Sequence, residues 1–313
     1  MKKITSLTIL IVISLIIVGC SGSDNTKAVN YHVGTNGLTV EPLKSNPSTI
    51  FEDQSTTMQV QIKNLGTYSL NNSKVGVIGV SYDNYYVDLI GESQQEISLH
   101  AKDIEYPIGD QYIYDFNFKI KKISNLREKP STKITYNVCY PYNTWFSIDN
   151  VCVDTKAYTQ DARKKVCTPQ TYTATGGQGA PVTITKIIPE MLPMQGYIRP
   201  QFKIYIENKG TGYVMSRGDE HNLCLYPNTA EIAKNMDKVH VRAILSKTEL
   251  NCSPSDLRLV DEETYTTCYL DRNSVSDGFS VGNWTYTTLL TIKVDYNYVQ
   301  RESNTITIQR LQS

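Results

Sequence analysis

The segment Met58-Gln59-Val60-Gln61-Ile62-Lys63-Asn64-Leu65-Gly66-Thr67 alternates apolar and polar residues and then breaks on Asn-x-Gly. Alternation with period two marks a half-buried strand. Asn and Gly both tolerate positive φ, so Asn64-x-Gly66 reads as a turn. The pattern returns 144 positions on, as Phe202-x-Ile204-x-Ile206-x-Asn208-x-Gly210-Thr211. At the same offset Leu38-Thr39-Val40 aligns with Val182-Thr183-Ile184. Further along, residues 134–142 align with 290–298 at an offset of 156. Both ends of one unit therefore recur in order, and the second copy is longer between them by about twelve residues. That extra length is expected near 229–236, which is also the one clear short helix candidate, or in the loop between Cys252 and Cys268. The chain reads as two copies of one domain, residues 30–155 and 180–313.

Further strand candidates lie at 75–80, 112–120 and 239–245. In the last, Val239, Val241, Ala243 and Leu245 share one face. Short strands at this spacing point to β-sandwiches, each closed by a C-terminal hairpin. Composition agrees. The 313 residues are 40% hydrophobic and 20% charged, enough apolar content for a packed core. Tyr outnumbers Phe by 22 to 6. Lys+Arg and Asp+Glu both number 31, a formal charge of +0. That balance argues against a nucleic-acid partner, which asks for a basic stripe, and against a polybasic membrane-surface protein.

The N-terminus reads as an export signal. Lys2 and Lys3 precede a largely apolar run over 4–18, short for a membrane span. The run ends in Ile17-Val18-Gly19-Cys20, followed by Ser21-Gly22-Ser23. This boundary resembles the lipobox of prokaryotic lipoproteins, with Ile17 where Leu is usual. The resemblance implies that Cys20 becomes the lipid-bearing first residue, anchored in the membrane on its extracytoplasmic face. Cleavage after Ser23 and retention as an uncleaved anchor are alternatives, and both export the rest of the chain. Residues 1–19 are thus read as the signal peptide and 20–29 as a tether.

Six further cysteines remain, an even number that reads as three disulfides in an exported chain. Cys139 and Cys152 end two β-like runs and are expected across a hairpin. Cys252 and Cys268 enclose a short loop, and Cys167 then falls to Cys224 by elimination. No Cys/His spacing suits zinc, so no metal and no cofactor is expected. Between the copies, 156–179 carries Gly176-Gly177-Gln178-Gly179. It reads as a Gly-rich linker. Ala180-Pro181 stands where a phosphate loop needs Gly-Lys-Ser/Thr.

Each copy, with its strand, Asn-x-Gly turn, further strands and closing hairpin, resembles the immunoglobulin-like modules of prokaryotic surface proteins, especially CARDB-like adhesion modules. The whole chain resembles the tandem-domain surface lipoproteins of prokaryotes, archaea included. The resemblance implies an all-β fold, two tandem immunoglobulin-like antiparallel β-sandwiches after a signal peptide and tether. It implies a surface setting and carries over no catalytic residues.

Little in the chain suggests chemistry. His32, His100, His221 and His240 are scattered and fit no hydrolase pattern. Asp219-Glu220-His221 and Asp261-Glu262-Glu263 read as solvated loops before cation sites, and Arg217-Gly218-Asp219 is a tripeptide common by chance. Tyr82, Tyr85, Tyr86, Tyr112, Tyr114, Tyr140 and Tyr142, with Trp145 and Trp284, could form a platform for sugar or protein, but packing is the favoured reading. Asn71, Asn251 and Asn283 head glycosylation acceptor triplets, with Asn251, beside a disulfide, the least accessible. The expected function is a membrane-anchored, non-catalytic binding or structural module, with a surface protein or glycan as partner. A solute-binding or enzyme-accessory lipoprotein is the alternative.

Overall fold

The two alternating runs become corresponding members of separate, similarly ordered sheets. The computed structural model describes residues 30–71, 74–123, 129–158, 165–195, 197–217, 234–261, 264–271 and 285–310. The first half holds β1 (Leu38–Pro42), β2 (Thr49–Phe51), β3 (Ser55–Asn64), β4 (Gly76–Tyr82), β5 (Val87–Ile90), β6 (Gln94–Ile97), β7 (Gln111–Ile120) and β8 (Ser131–Asp154). The second holds β9 (Tyr172–Thr173), β10 (Val182–Met194), β11 (Tyr197–Asn208), β12 (Tyr213–Met215), β13 (Lys238–Leu245), β14 (Thr248–Glu249), β15 (Asn251–Ser253), β16 (Asp256–Arg258), β17 (Tyr265–Tyr269) and β18 (Thr285–Gln309).

One sheet runs β1-β3-β7-β5 and its counterpart β10-β11-β17-β15, with β9 added beside β10. In both halves the next strand pairs with the closing strand, β4 with β8 and β13 with β18, and in both a later short strand edges it, β6 on β4 and β16 on β13. The repeat is therefore a repeat of strand order as well as of sequence. The alternation does the work expected of it. Val60, Ile62, Ile204 and Ile206 are all fully buried, as are Val239, Val241, Ala243 and Leu245. Gly66 N–H donates to Asn64 Oδ1 (3.1 Å) and Gly210 N–H to Asn208 Oδ1 (3.2 Å), so the two turns are the same turn.

The closing elements differ from expectation. No hairpin forms. Residues 131–154 are one strand of 24 residues, and β18 is one of 25. The two pair antiparallel along nearly their whole length, from Ser131↔Thr307 to Asp154↔Thr285. The chain is all-β with antiparallel sandwich sheets, as expected, but both halves contribute to one sheet, β14-β13-β18-β8-β4-β6, so the two repeats are joined through their closing strands and not only by a Gly-rich linker. Tyr31–Ser313 forms one compact unit. Pro141 pairs with Asn297 and also aligns with it in the repeat, so an internal two-fold passes through that pair, as in an isologous dimer interface.

Four tyrosines surround this point. Tyr140, Tyr142, Tyr296 and Tyr298 are each at most 1% exposed. Tyr140 lies 5.8 Å from Tyr298 and Tyr142 5.8 Å from Tyr296, centroid to centroid. Their hydroxyls reach the flanking sheets in symmetric pairs. Tyr140 Oη accepts from Leu38 N–H (3.1 Å), and Tyr296 Oη accepts from Val182 N–H (3.2 Å). Tyr142 Oη accepts from Thr67 N–H (3.0 Å) and Tyr298 Oη from Gly212 N–H (2.8 Å). The turn glycines are required by this approach, since a Cβ at Gly66 would lie 2.0 Å from Tyr142 Oη and one at Gly210 2.2 Å from Tyr298 Oη.

The Gly-rich stretch is also packed. Gly34 N–H donates to Gly176 C=O, Gly179 N–H to Gly34 C=O, and Tyr142 Oη–H to Gly179 C=O (2.5 Å). Gly177 sits at φ +73°, where an added Cβ would meet Gly34 O at 2.2 Å. Composition suggested a linker; close backbone approach is what the glycines serve.

The disulfides need correction as well. Cys139 and Cys152 lie on one continuous strand, so at about 3.3 Å per residue they stand ~40 Å apart and cannot bond. Cys152 pairs with Cys167, which also removes the Cys167–Cys224 pairing. Cys252 pairs with Cys268 across β15 and β17, as expected. Cys139 is itself disulfide-bonded. Cys20 and Cys224 lie outside the described residues, as do the signal peptide and the tether before Asn30. Of the helix candidate, Lys234 and Asn235 are helical and Met236 bridges to Met215; its earlier residues are not described. The added length of the second copy does fall there, between β11 and β13, whereas the segment from β13 to β17 is shorter than its counterpart from β4 to β7.

Burial holds the Tyr140 and Tyr296 hydroxyls well above their usual pKa of 10. It pushes Tyr298 up to about 12, against the opposing hydrogen bonds of Gly212 and Asn208. In the unfolded chain tyrosine ionises near 10. Above that pH the unfolded chain sheds protons that the folded chain keeps. Stability is therefore intact below pH 10 and falls as pH rises toward 12, by about 1.4 kcal/mol per unit for each such tyrosine. The buried tyrosines are expected to ionise in one cooperative step coincident with loss of near-ultraviolet dichroism. Gradual ionisation with the dichroism intact would contradict it.

Candidate functional site

Tyr296 and Val294 point into the core, so the alternation of β18 turns Asp295 to the opposite face of the central sheet. There it stands between Asn143 on β8 and His240 on β13. The carboxylate is nonetheless buried, with its side chain 6% exposed. Asn143 Nδ2–H donates to Oδ1 (2.5 Å), Arg217 lies 3.2 Å from Oδ1, and Arg242 lies 3.2 Å from Oδ2. One acid thus orients two guanidinium groups, both about half-exposed. Arg242 comes from β13, and Arg217 follows β12, the strand that only the second half adds beside β18.

The arginines open onto a cleft of about 610 Å³, walled also by Ser216, Asn235, Lys238, His240 and Asp256. An adjoining groove of about 660 Å³ shares His240 and Arg242 and continues past Lys247, Thr248, Glu249 and Ser255. His240 Nδ1 is 2.8 Å from Asp256 Oδ1. Among the described residues, neither the Ser216 nor the Ser255 hydroxyl is hydrogen-bonded to His240, whose ring instead meets Asp256. The next row of the same face carries Trp145, Lys293 and Arg242, directly paired across β8, β18 and β13. Trp145 is 51% exposed, and Lys293 Nζ sits 3.8 Å from its ring centroid. The face therefore combines half-exposed guanidinium donors with a half-exposed aromatic ring under Lys293.

The residues singled out from sequence are mostly elsewhere. Tyr140 and Tyr142 are core and Tyr114 is buried, while Tyr85 and Tyr112 are exposed, so no tyrosine platform assembles. His100 stacks on Tyr106 in a loop, apart from His240. His221, Asp219, Glu220, Glu262, Glu263, Trp284 and Asn283 lie outside the described residues. Among the described residues no group of three His, Cys, Asp or Glu is placed to hold a metal. Asn71 is exposed. Asn251 is exposed too, despite the neighbouring disulfide, because it lies on the short edge strand β15. Asp295, Asn143 and Arg242 had not been singled out.

No family model matches the chain, and no curated protein matches it. Among solved structures the chain is similar to the partial N-terminal region of an enterococcal surface protein, at 10% identity and a TM-score of 0.18 over 89% of this chain and 87% of that one. It is likewise similar to a structure named BspA_C_WT, at 9% identity and a TM-score of 0.16 over 86% of this chain and 97% of the other. Likeness at these scores assigns neither fold nor activity.

Replacing Asp295 by Asn would leave two guanidinium groups without their counter-charge and a buried amide with a mismatched donor. Asp295→Asn is expected to lower stability by about 2 kcal/mol, read from urea unfolding. Arg217→Gln should cost less, because Arg242 keeps the carboxylate paired. Equal effects of the two substitutions would contradict this arrangement.

Proposed function

We propose that the protein is an exported, membrane-tethered surface module that works without catalysis, as a structural or binding element. The observation that carries this reading is the pair of disulfides, Cys152–Cys167 and Cys252–Cys268, in a chain that opens with an apolar leader ending at Gly19-Cys20. Disulfides persist outside the reducing cytoplasm. No helix among the described residues is long and apolar enough to cross a membrane, so in this reading the attachment is the lipid on Cys20. The sheet shared between the halves supports the structural side of the reading, because it makes one stiff body from two repeats. The polar cleft at Arg217 and Arg242 favours the second reading, a solute-binding or enzyme-accessory lipoprotein.

Cell fractionation tests the anchor. The native protein should stay with membranes, and its mature form should begin at a lipid-modified Cys20 by intact mass. Cys20→Ala should leave the chain unprocessed or release it in soluble form. A mature chain that begins unmodified at Asp24 would overturn the lipid anchor.

A further inference from the structure

We propose that the cleft between Arg217 and Arg242 binds the carboxylate of an acidic sugar, and that the adjoining groove takes neighbouring units of the same polysaccharide. This rests on the binding-module reading above and gives it a ligand class.

Charge comes first. Arg217, Arg242 and Lys238 stand against Asp295 and Asp256, so the described lining of the cleft keeps one excess positive charge. Each guanidinium reaches Asp295 through one nitrogen, Nη2, and is about half-exposed, leaving further N–H donors for solvent or ligand. The planar fork of Arg matches a carboxylate bidentately. Because one buried acid holds an Nη2 of each arginine, both are drawn to the same place, which lowers the side-chain freedom lost on binding.

Shape and lining then separate the sources of an oxyanion. The cleft and groove adjoin along β13 and share His240 and Arg242 in their walls, so neighbouring units of one chain can reach both. The track also carries Asp256 and Glu249. A polymer with a phosphate at every unit would meet both carboxylates with like charge. A polysaccharide with spaced carboxylates can place neutral hydroxyls there, where a carboxylate accepts hydrogen bonds. Trp145, one row along the same face, is half-exposed with Lys293 over its ring, so an apolar edge and a further cation stand there for a sugar unit.

The test uses the purified full chain and titration calorimetry with oligogalacturonate, the matching neutral galactose oligomer, and polyphosphate. The uronate should bind saturably and more weakly as salt rises. The neutral oligomer and polyphosphate should bind at least about tenfold more weakly. Lys238→Gln and Trp145→Ala touch neither Asp295 nor its arginines, so they should fold with unchanged melting temperature. Each should nevertheless weaken uronate binding several-fold. Absence of saturable uronate binding at millimolar ligand, equal binding by the two variants, or preference for polyphosphate would each overturn the proposal. Where the chain resides in the cell is read by fractionation, so failure of one reading is distinct from failure of the other.

Discussion

The pairing of β8 with β18, with its four interior tyrosines, is the constraint on which the rest of the structure depends. The ladder alone would join the halves edge to edge. The tyrosines add a second direction, because their hydroxyls satisfy backbone N–H groups of β1, β10 and the two Asn-x-Gly turns. Each is an amide that would cost free energy if buried without a partner. Ring packing and hydrogen bonding thereby fasten both flanking sheets to the central one at a single point. Only glycine at positions 66 and 210 lets the phenol oxygens come so close.

The same arrangement explains why the two faces of the central sheet differ. One side of the central sheet is consumed by the core, and the alternation of β18 hands every second residue to the other. In the first copy the position aligned with Asp295 is Cys139, which lies with Val77, Val299 and Met215 in a small apolar cluster. In the second copy that position carries a buried acid, and the added strand β12 leads to Arg217 beside it. The two halves share a frame and differ in what they display on it.

Much of the frame was legible in the sequence. Alternation located β3, β11 and β13 and named their buried faces. The Asn-x-Gly pair located two equivalent turns. The failures share a cause, which is non-local pairing. Within β8 the stretch between Cys139 and Cys152 reads locally as two runs joined by a loop, and pairing with β18 keeps it one strand; the Cys139–Cys152 pairing fell with that hairpin. Gly176–Gly179 has linker composition, but its neighbours Gly34 and Thr67 lie more than a hundred residues away. The convergence of Asn143, Arg242 and Asp295 from three strands, with Arg217 from the segment after β12, is one that no spacing rule connects. One signal was present. Asp295 is a charge inside a matched strand, at a position where the other copy carries cysteine.

Native-state hydrogen exchange tests the central claim most directly. If the halves form one cooperative body, the amides of β8 and β18 on either side of the Pro141–Asn297 pair exchange only through global unfolding. They then share one opening free energy, and the core amides of β3 and β11 share it too. Exchange of β3 and its partners at a distinctly lower free energy than β11, with β18 still protected, would show two domains that merely touch, and would contradict the account.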